Sequence, residues 1–222
     1  MGEEPQLRAD ALRNRRRILD AAAAAFAERG LDVGVAEIAR RAEVGAGTIF
    51  RRFPTKEDLI VAIVEERLGE VLTVADEALA ADDAGEGFRR FVEVLTERQV
   101  RDRGFFDAAA TRIGAEPRLR EMHERLIEAA DRIVARAQDS GDVRADIEAI
   151  DVLALTCAVA ATPDPITIAY PDAWRRYIDI VLDGLAPAGA TALSHPAPAV
   201  AEVEAAKATA PDVARPLPAR RA

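Results

Sequence analysis

Residues Ile38 to Leu59, IARRAEVGAGTIFRRFPTKEDL, constrain this chain more than any other stretch. They divide into a short helical piece, a corner, a second helical piece and a proline stop. Advancing about 100° per residue from Ala46 to Phe53 puts Ala46, Ile49, Phe50 and Phe53 on one face of a helix. Gly47, Thr48, Arg51 and Arg52 fall on the other. An apolar face opposite one hydroxyl, two guanidiniums and an open glycine suits contact with a phosphate backbone and with base edges. An ordinary amphipathic surface helix with solvated arginines has the same pattern, so the flanking residues carry the distinction.

Ile38, Ala39 and Ala42 supply the inward positions of the preceding helix, and small Ala39 lets two helices cross closely. Val44 plugs the corner. Pro54 stops the second helix, because proline removes a ladder donor and clashes with the preceding turn. Thr55 is an N-cap for a third helix, with Asp58 three residues on in the manner of a capping box. That helix start offers free backbone N–H groups, the positive end of a dipole and Lys56, which together suit a phosphate.

At these residues the sequence resembles the TetR family of transcriptional regulators. Ile38-Ala39, Val44, Gly47-Thr48-Ile49-Phe50, Phe53, Lys56-Glu57 and Leu59 carry the resemblance. It is sharp over residues 12–60 and only topological beyond them. The resemblance implies that Thr48, Phe50, Arg52 and Lys56 touch phosphates. It also implies that the start of the chain's second helix, at Val35 and Ala36, faces bases together with Ala46, Gly47 and Arg51, with Gly45 at the cap beside them. The family's first helix approaches the DNA backbone, where one of Arg13, Arg16 and Arg17 would clamp a phosphate. The sequence does not choose among them, and Arg16 stands for the set.

Several positions depart from the family's pattern. Phe50 stands where a tyrosine is usual, so the phenolic hydroxyl that would reach a phosphate is missing. Arg52 replaces the usual histidine or tyrosine and supplies that contact instead. Glu43 replaces the glycine expected at the turn, and a non-glycine residue at positive φ costs about 1 kcal/mol. Gly45 replaces a serine or threonine cap, and Gly34-Val35 replaces a threonine.

The chain has 222 residues and a formal net charge of −9, which argues against indiscriminate coating of nucleic acid. Residues 1–56 hold 11 Lys and Arg against 8 Asp and Glu, whereas the remainder holds 19 against 31. A basic head on an acidic body orients the molecule on DNA. Cys157 is the single cysteine, so no intrachain disulfide is expected and a reducing compartment, the cytoplasm, fits. Its apolar neighbours Leu153, Leu155 and Val159 describe a packed thiol. The first twenty residues carry many charges and no long apolar core, so no signal peptide is read there, and no membrane span is expected anywhere.

Helical spacing dominates elsewhere, and the expected fold is all-α. Leu12, Leu19 and Phe26 recur every seven residues along a helix over 8–29 that stops at Gly30. Further helices are expected over 55–79, with Gly69 as a bend, and over 86–102, 105–113, 117–138, 147–161 and 172–184. Ser140-Gly141-Asp142 and Pro163-Asp164-Pro165 break them. The expected organisation is a three-helix helix-turn-helix domain over 1–56, a larger helical bundle over 57–186, and a tail over 187–222. That tail holds 6 of the 12 prolines, 13 alanines and no aromatic residue, which is the composition of a disordered segment. Its tip carries Arg215, Arg220 and Arg221.

The resemblance implies a pocket for a small effector inside the body and a homodimer made by its last two helices. Ile147, Ile150, Leu153 and Leu155 crowd one of these helices, and Trp174, Tyr177, Ile178, Val181, Leu182 and Leu185 the other, as a four-helix interface or as plain core. Phe88, Phe91, Phe105, Phe106, Met122, His123, Thr156 and Trp174 are the candidate pocket residues, being large or polar side chains in an aliphatic setting. His123, among Glu121, Glu124 and Arg125, equally suits an exposed helix face. No nucleophile–base pair, phosphate loop or metal-ligand spacing stands out, so neither catalysis nor a cofactor nor a metal is expected. The expected function is a DNA-binding regulator, a repressor released from a palindromic operator by the effector. An activator has the same residues, and a helical small-molecule carrier or adaptor that has lost DNA binding is the alternative from another class.

Overall fold

The computed structural model describes the backbone of residues 3–113, 116–161 and 164–203, and their side chains apart from 3–9, 104, 106–113, 164 and 167. Among these residues all regular structure is helical: α1 Glu3–Arg29, α2 Val35–Arg41, α3 Ala46–Arg52, α4 Lys56–Ala80, α5 Ala84–Ile113, α6 Pro117–Asp139, α7 Ala149–Ala160, α8 Asp164–Ala169 and α9 Ala173–Leu185. None of these helices is long and apolar enough to cross a membrane.

α1 ends where the sequence predicts. Gly30 takes φ +76°, which glycine adopts without a Cβ penalty, and its N–H reaches the Phe26 carbonyl at 2.9 Å. α2 and α3, seven residues each, are too short to persist alone. They are held by a shared core of Ile18, Leu19, Ala22 and Phe26 from α1, Ile38 from α2, Ile49 from α3, and Leu59, Ile60 and Ile63 from α4.

α4 leaves this head through the expected capping box. The Thr55 hydroxyl accepts from the Asp58 N–H at 3.0 Å, and the Asp58 carboxylate accepts from the Thr55 N–H at 2.9 Å. At its far end α4 turns tightly into α5, where a Cβ on Gly87 would lie 2.6 Å from the Ala78 carbonyl oxygen. Arg136 of α6 closes that end. Its guanidinium donates to the carbonyls of Ala78, at 3.0 Å, and Ala81, satisfying acceptors that the finished helix leaves open.

α5 is one helix, not the two stretches 86–102 and 105–113 that the sequence suggests. An isolated glycine in a helix interior costs about 1 kcal/mol, which packing on either side of Gly104 offsets. Phe105 is fully buried against the head, and Phe91, Val92 and Leu95 are buried in the body. The body core joins these to Leu126, Ile133 and Val134 of α6, Val152 and Val159 of α7, and Trp174, Ile178 and Leu182 of α9. Around the expected proline break, Asp164–Ala169 forms the short α8, and residues 162–163 lie outside the described ones.

Beyond Pro187 the chain runs without regular structure to Ala199, and Val200–Val203 is helical. Part of this segment lies along the loop after α6. The Arg144 guanidinium donates to the Thr191 carbonyl, and the Asp146 carboxylate accepts from the Leu193 N–H at 3.3 Å. Arg144 also holds the Asp146 carboxyl down to about 2. Residues 204–222, with Arg215, Arg220 and Arg221, lie outside the described ones.

Candidate nucleic-acid interface

The corner between α2 and α3 turns at Glu43, whose φ of +52° is the left-handed conformation expected at that position. The Val44 N–H still reaches the Ala39 carbonyl at 3.0 Å. The Ala42 carbonyl is taken by Arg17, whose Nε and Nη2 donate to it at 3.1 and 2.8 Å, with Nη2 also 3.3 Å from the Glu43 carbonyl oxygen. A guanidinium fork from α1 therefore pins the corner that sets the direction of α3. The sequence offers Arg17 as a phosphate clamp; its Nε and Nη2 are engaged on the protein's own backbone.

α3 has an inward seam and an outward face. Ile49 and Phe53, four residues apart, are 1% and 6% exposed, and Ala46 and Thr48 are half-buried. Gly47, Arg51 and Arg52 are exposed, as the sequence predicts. Phe50 is not inward: its side chain is 52% exposed, which corrects its placement on the apolar face. Ile49 and Phe53 fill the seam, and one step of about 100° from Ile49 leaves Phe50 on the shoulder of the helix. Gly45 caps α3 in an extended conformation with no side-chain hydrogen bond. At the start of α2, Val35 is half-buried against the head core and Ala36 is exposed.

Charge separates this face from the rest of the head. On α2, Arg40 donates to Glu37 at 3.0 and 2.9 Å, and Arg41 bridges Glu37 at 3.0 Å and Glu28 at 2.7 Å. Hydrogen bonds from Arg40 and then Arg41 hold the Glu37 carboxyl down to about 2. On α3, Arg51 reaches only the Thr48 hydroxyl at 3.3 Å and Arg52 the Ala11 carbonyl at 3.5 Å. Among the described residues neither has a carboxylate partner. Lys56 is half-buried and donates to the Leu31 carbonyl at 2.6 Å, so one of its three donors already ties α4 to the loop before α2.

Arg16 belongs elsewhere. It reaches Glu70 in the middle of α4 at 2.8 Å and lines a crevice of about 370 Å³ with Asp20, Arg67, Arg101, Asp102 and Phe105. The α4 carboxylates draw both Arg15 and Arg16, the residue standing for the α1 clamp, to one side of α1, Arg15 to Glu66 at 3.0 Å.

Residues 18–63 match the family described as bacterial regulatory proteins, tetR family, and residues 83–187 match the SbtR-like transcriptional regulator C-terminal domain. A TetR transcription regulatory protein from Mycobacterium vanbaalenii is 35% identical and shares the fold with a TM-score of 0.60 over 81% of this chain and 99% of that one. The chain belongs to the TetR family of transcriptional regulators. A TetR transcriptional regulator from Streptomyces coelicolor is 30% identical, with a TM-score of 0.62 over 78% of this chain and 98% of its own. An uncharacterized HTH-type transcriptional regulator of Mycobacterium tuberculosis is 31% identical over 131 residues, 58% of this chain and 68% of the relative. The regulator FadR of Bacillus subtilis, solved in complex with stearoyl-CoA, shares the fold at 20% identity and a TM-score of 0.59, over 77% of this chain and 96% of that one.

The candidate effector residues of this TetR-family chain are dispersed. Phe88, Phe91 and Trp174 are core residues between α4, α5, α6 and α9, Trp174 under the Arg175 guanidinium at 4.4 Å. Thr156 is fully buried and donates to the Leu153 carbonyl at 2.9 Å. Met122 and His123 are half-buried on α6, and the Phe106 side chain lies outside the described residues. Phe105 lines the crevice between α1, α4 and α5. A second, wider crevice of about 550 Å³ lies at α8 and α9, lined by Ile166, Tyr170, Ala173 and Tyr177 among others, none of which the sequence places in a pocket.

Proposed function

We propose that this regulator is a cytoplasmic homodimer that represses transcription by holding a palindromic operator and releases it when a small molecule occupies the body. One observation carries the reading: the exposed face of α3 presents Gly47, Arg51 and Arg52, the two arginines with no acidic partner among the described residues, on a corner pinned by Arg17. Arg51, central on that face, reads a base edge, and Arg52 with Thr48 holds phosphates. The capped N-terminus of α4, with the remaining Lys56 donors, takes a further phosphate. Gly45, Ala46 and Gly47 let the groove approach closely, and Val35 and Ala36 flank it. Residues 1–56 act as the reading head, 57–186 as the effector and dimerisation body, and 187–222 as a tail.

The dimer reading rests on what α7, α8 and α9 leave uncovered. Ala154, Cys157, Ala158 and Ala161 form an exposed stripe of small side chains along α7, so Cys157 is not the packed thiol that its apolar sequence neighbours suggest. Ile168, Tyr170 and Ile180 are 79%, 71% and 56% exposed on or beside α8 and on α9. A second copy covering these surfaces pairs two heads, and palindromic half-sites about 34–36 Å apart follow from the two-fold axis. Effector occupancy shifts the spacing of the heads to the extent that it prefers one spacing over the other.

Selection from random duplexes with the full chain tests this. The reading predicts an inverted repeat whose binding falls with salt. A carrier or adaptor that has lost DNA binding selects no repeat.

A further inference from the structure

We propose that Phe50 is a specificity-determining residue whose ring packs on the 5-methyl group of a thymine in the major groove, so that each operator half-site requires a thymine there. The proposal rests on α3 being the reading helix. Ile49 and Phe53 are 1% and 6% exposed, yet Phe50 on the same seven-residue helix is 52% exposed. Folding of the head leaves this ring uncovered. One turn back along α3, Ala46 and Gly47 flank the ring with no more than a methyl group, and a Cβ built on Gly47 meets nothing within 4 Å. A phenyl ring therefore stands at the edge of the outward face, with open backbone beside it and Arg51 next to it on the outward side.

The chemistry of the ring narrows its partner. Phenylalanine has no donor or acceptor, so it forms no hydrogen bond with a phosphate oxygen or with the nitrogen and oxygen atoms of a base edge. The neighbouring Arg52 guanidinium and the Thr48 hydroxyl hold the helix against the polyanion without help from it. Within the major groove the apolar group that a base presents is the thymine 5-methyl, and an apolar side chain against it distinguishes thymine from the other bases.

The test uses the full chain and a duplex from the selection, with each thymine of a half-site replaced in turn by deoxyuridine, which lacks only the methyl group. Wild-type protein loses about fourfold in affinity at one thymine per half-site, the fold-change equivalent to about 0.8 kcal/mol for one buried methylene-sized group. Phe50→Ala binds the thymine and deoxyuridine duplexes equally, and Phe50→Tyr keeps the difference. The proposal is overturned if no replacement affects wild-type binding, or if Phe50→Ala loses as much as wild type at the same thymine. It is also overturned if Phe50→Ala weakens every duplex evenly, which places the ring on the sugar–phosphate backbone. The wild-type arm needs no variant, and Phe50→Asn is the second variant should Phe50→Ala not fold. Failure to bind any duplex at low salt refutes the reading of α3 itself, a separate outcome.

Discussion

The rings of Phe26 on α1 and Phe105 on α5 stack with centroids 6.3 Å apart and planes 27° from parallel, both fully buried. One ring belongs to the head and the other to a body helix, so the core of the head is completed by the body. α5, a body helix, thus packs directly on α1, the helix that pins the α2–α3 corner through Arg17.

Phe105→Ala is expected to cost about 3–5 kcal/mol, the range for deleting a buried aromatic ring. The loss should concentrate in the head. Hydrogen exchange of α1 to α3 amides checks this, with protection falling there while α6 and α9 keep theirs. Equal loss in head and body would show that the contact carries no special coupling.

Arg67 is the polar counterpart of that contact. It is 5% exposed, donates to Asp20 of α1 at 2.5 Å, and pairs with Asp102 of α5 at 3.3 Å. Arg67→Met is expected to cost about 3 kcal/mol, the low end for a broken buried pair. The low end applies because Arg101 stays with Asp102 at 3.0 Å. Adding Asp102→Leu should recover most of the loss in a urea titration. Strictly additive single and double variants would contradict a shared network.

Gly69 sits within α4 with open space where a Cβ would go, and its carbonyl accepts from the Thr73 hydroxyl at 2.9 Å. Gly69→Ala should therefore raise stability by about 0.5–1 kcal/mol through helix propensity alone. A higher melting temperature checks it. A fall would reveal that α4 needs the bend that the sequence suggests.

The acid response follows from Glu37 and Asp146, both held at about 2 by arginine partners. Their folded values lie below the ordinary carboxylate range, so their contribution is complete above that range and is lost as pH falls towards about 2. Both carboxyls lie in high-dielectric surroundings, so screening keeps the effect small. Urea midpoints should stay level from about pH 7 to 5 on this account and decline below about 4. Glu37→Gln should flatten part of that decline. A loss starting well above pH 5 would point to other groups.

What the sequence revealed was local. The Thr55–Asp58 box, the Gly30 stop and the inward Ile49 each depend on neighbours within a few residues, and each is legible from spacing and side-chain chemistry, whereas the left-handed turn at Glu43 follows only from the family resemblance. A helical wheel counts Phe50 as inward because it treats an apolar shoulder residue as part of the seam, and only the packed head shows that seam already filled by Ile49 and Phe53. The roles of Arg16 and Arg17 were not separable, because they depend on carboxylates and carbonyls supplied by residues 25 to 54 positions away. The continuity of α5 escaped for a related reason: Phe105 is anchored by Phe26, far earlier in the chain. Candidate pocket residues proved hardest, since a cavity is the space left by several helices and has no sequence period.

The most direct measurement is the affinity for a selected palindromic duplex across a salt series, with wild type, Arg51→Ala and Arg52→Ala. Wild type should show a steep negative slope of log affinity against log salt. Arg52→Ala should weaken all duplexes evenly and make that slope shallower by about 1 for each phosphate left without its guanidinium. Arg51→Ala should cost roughly 1–3 kcal/mol and blur the preference at one base pair. A flat wild-type slope with no preference for the palindrome would contradict the assignment of α3 as the reading helix.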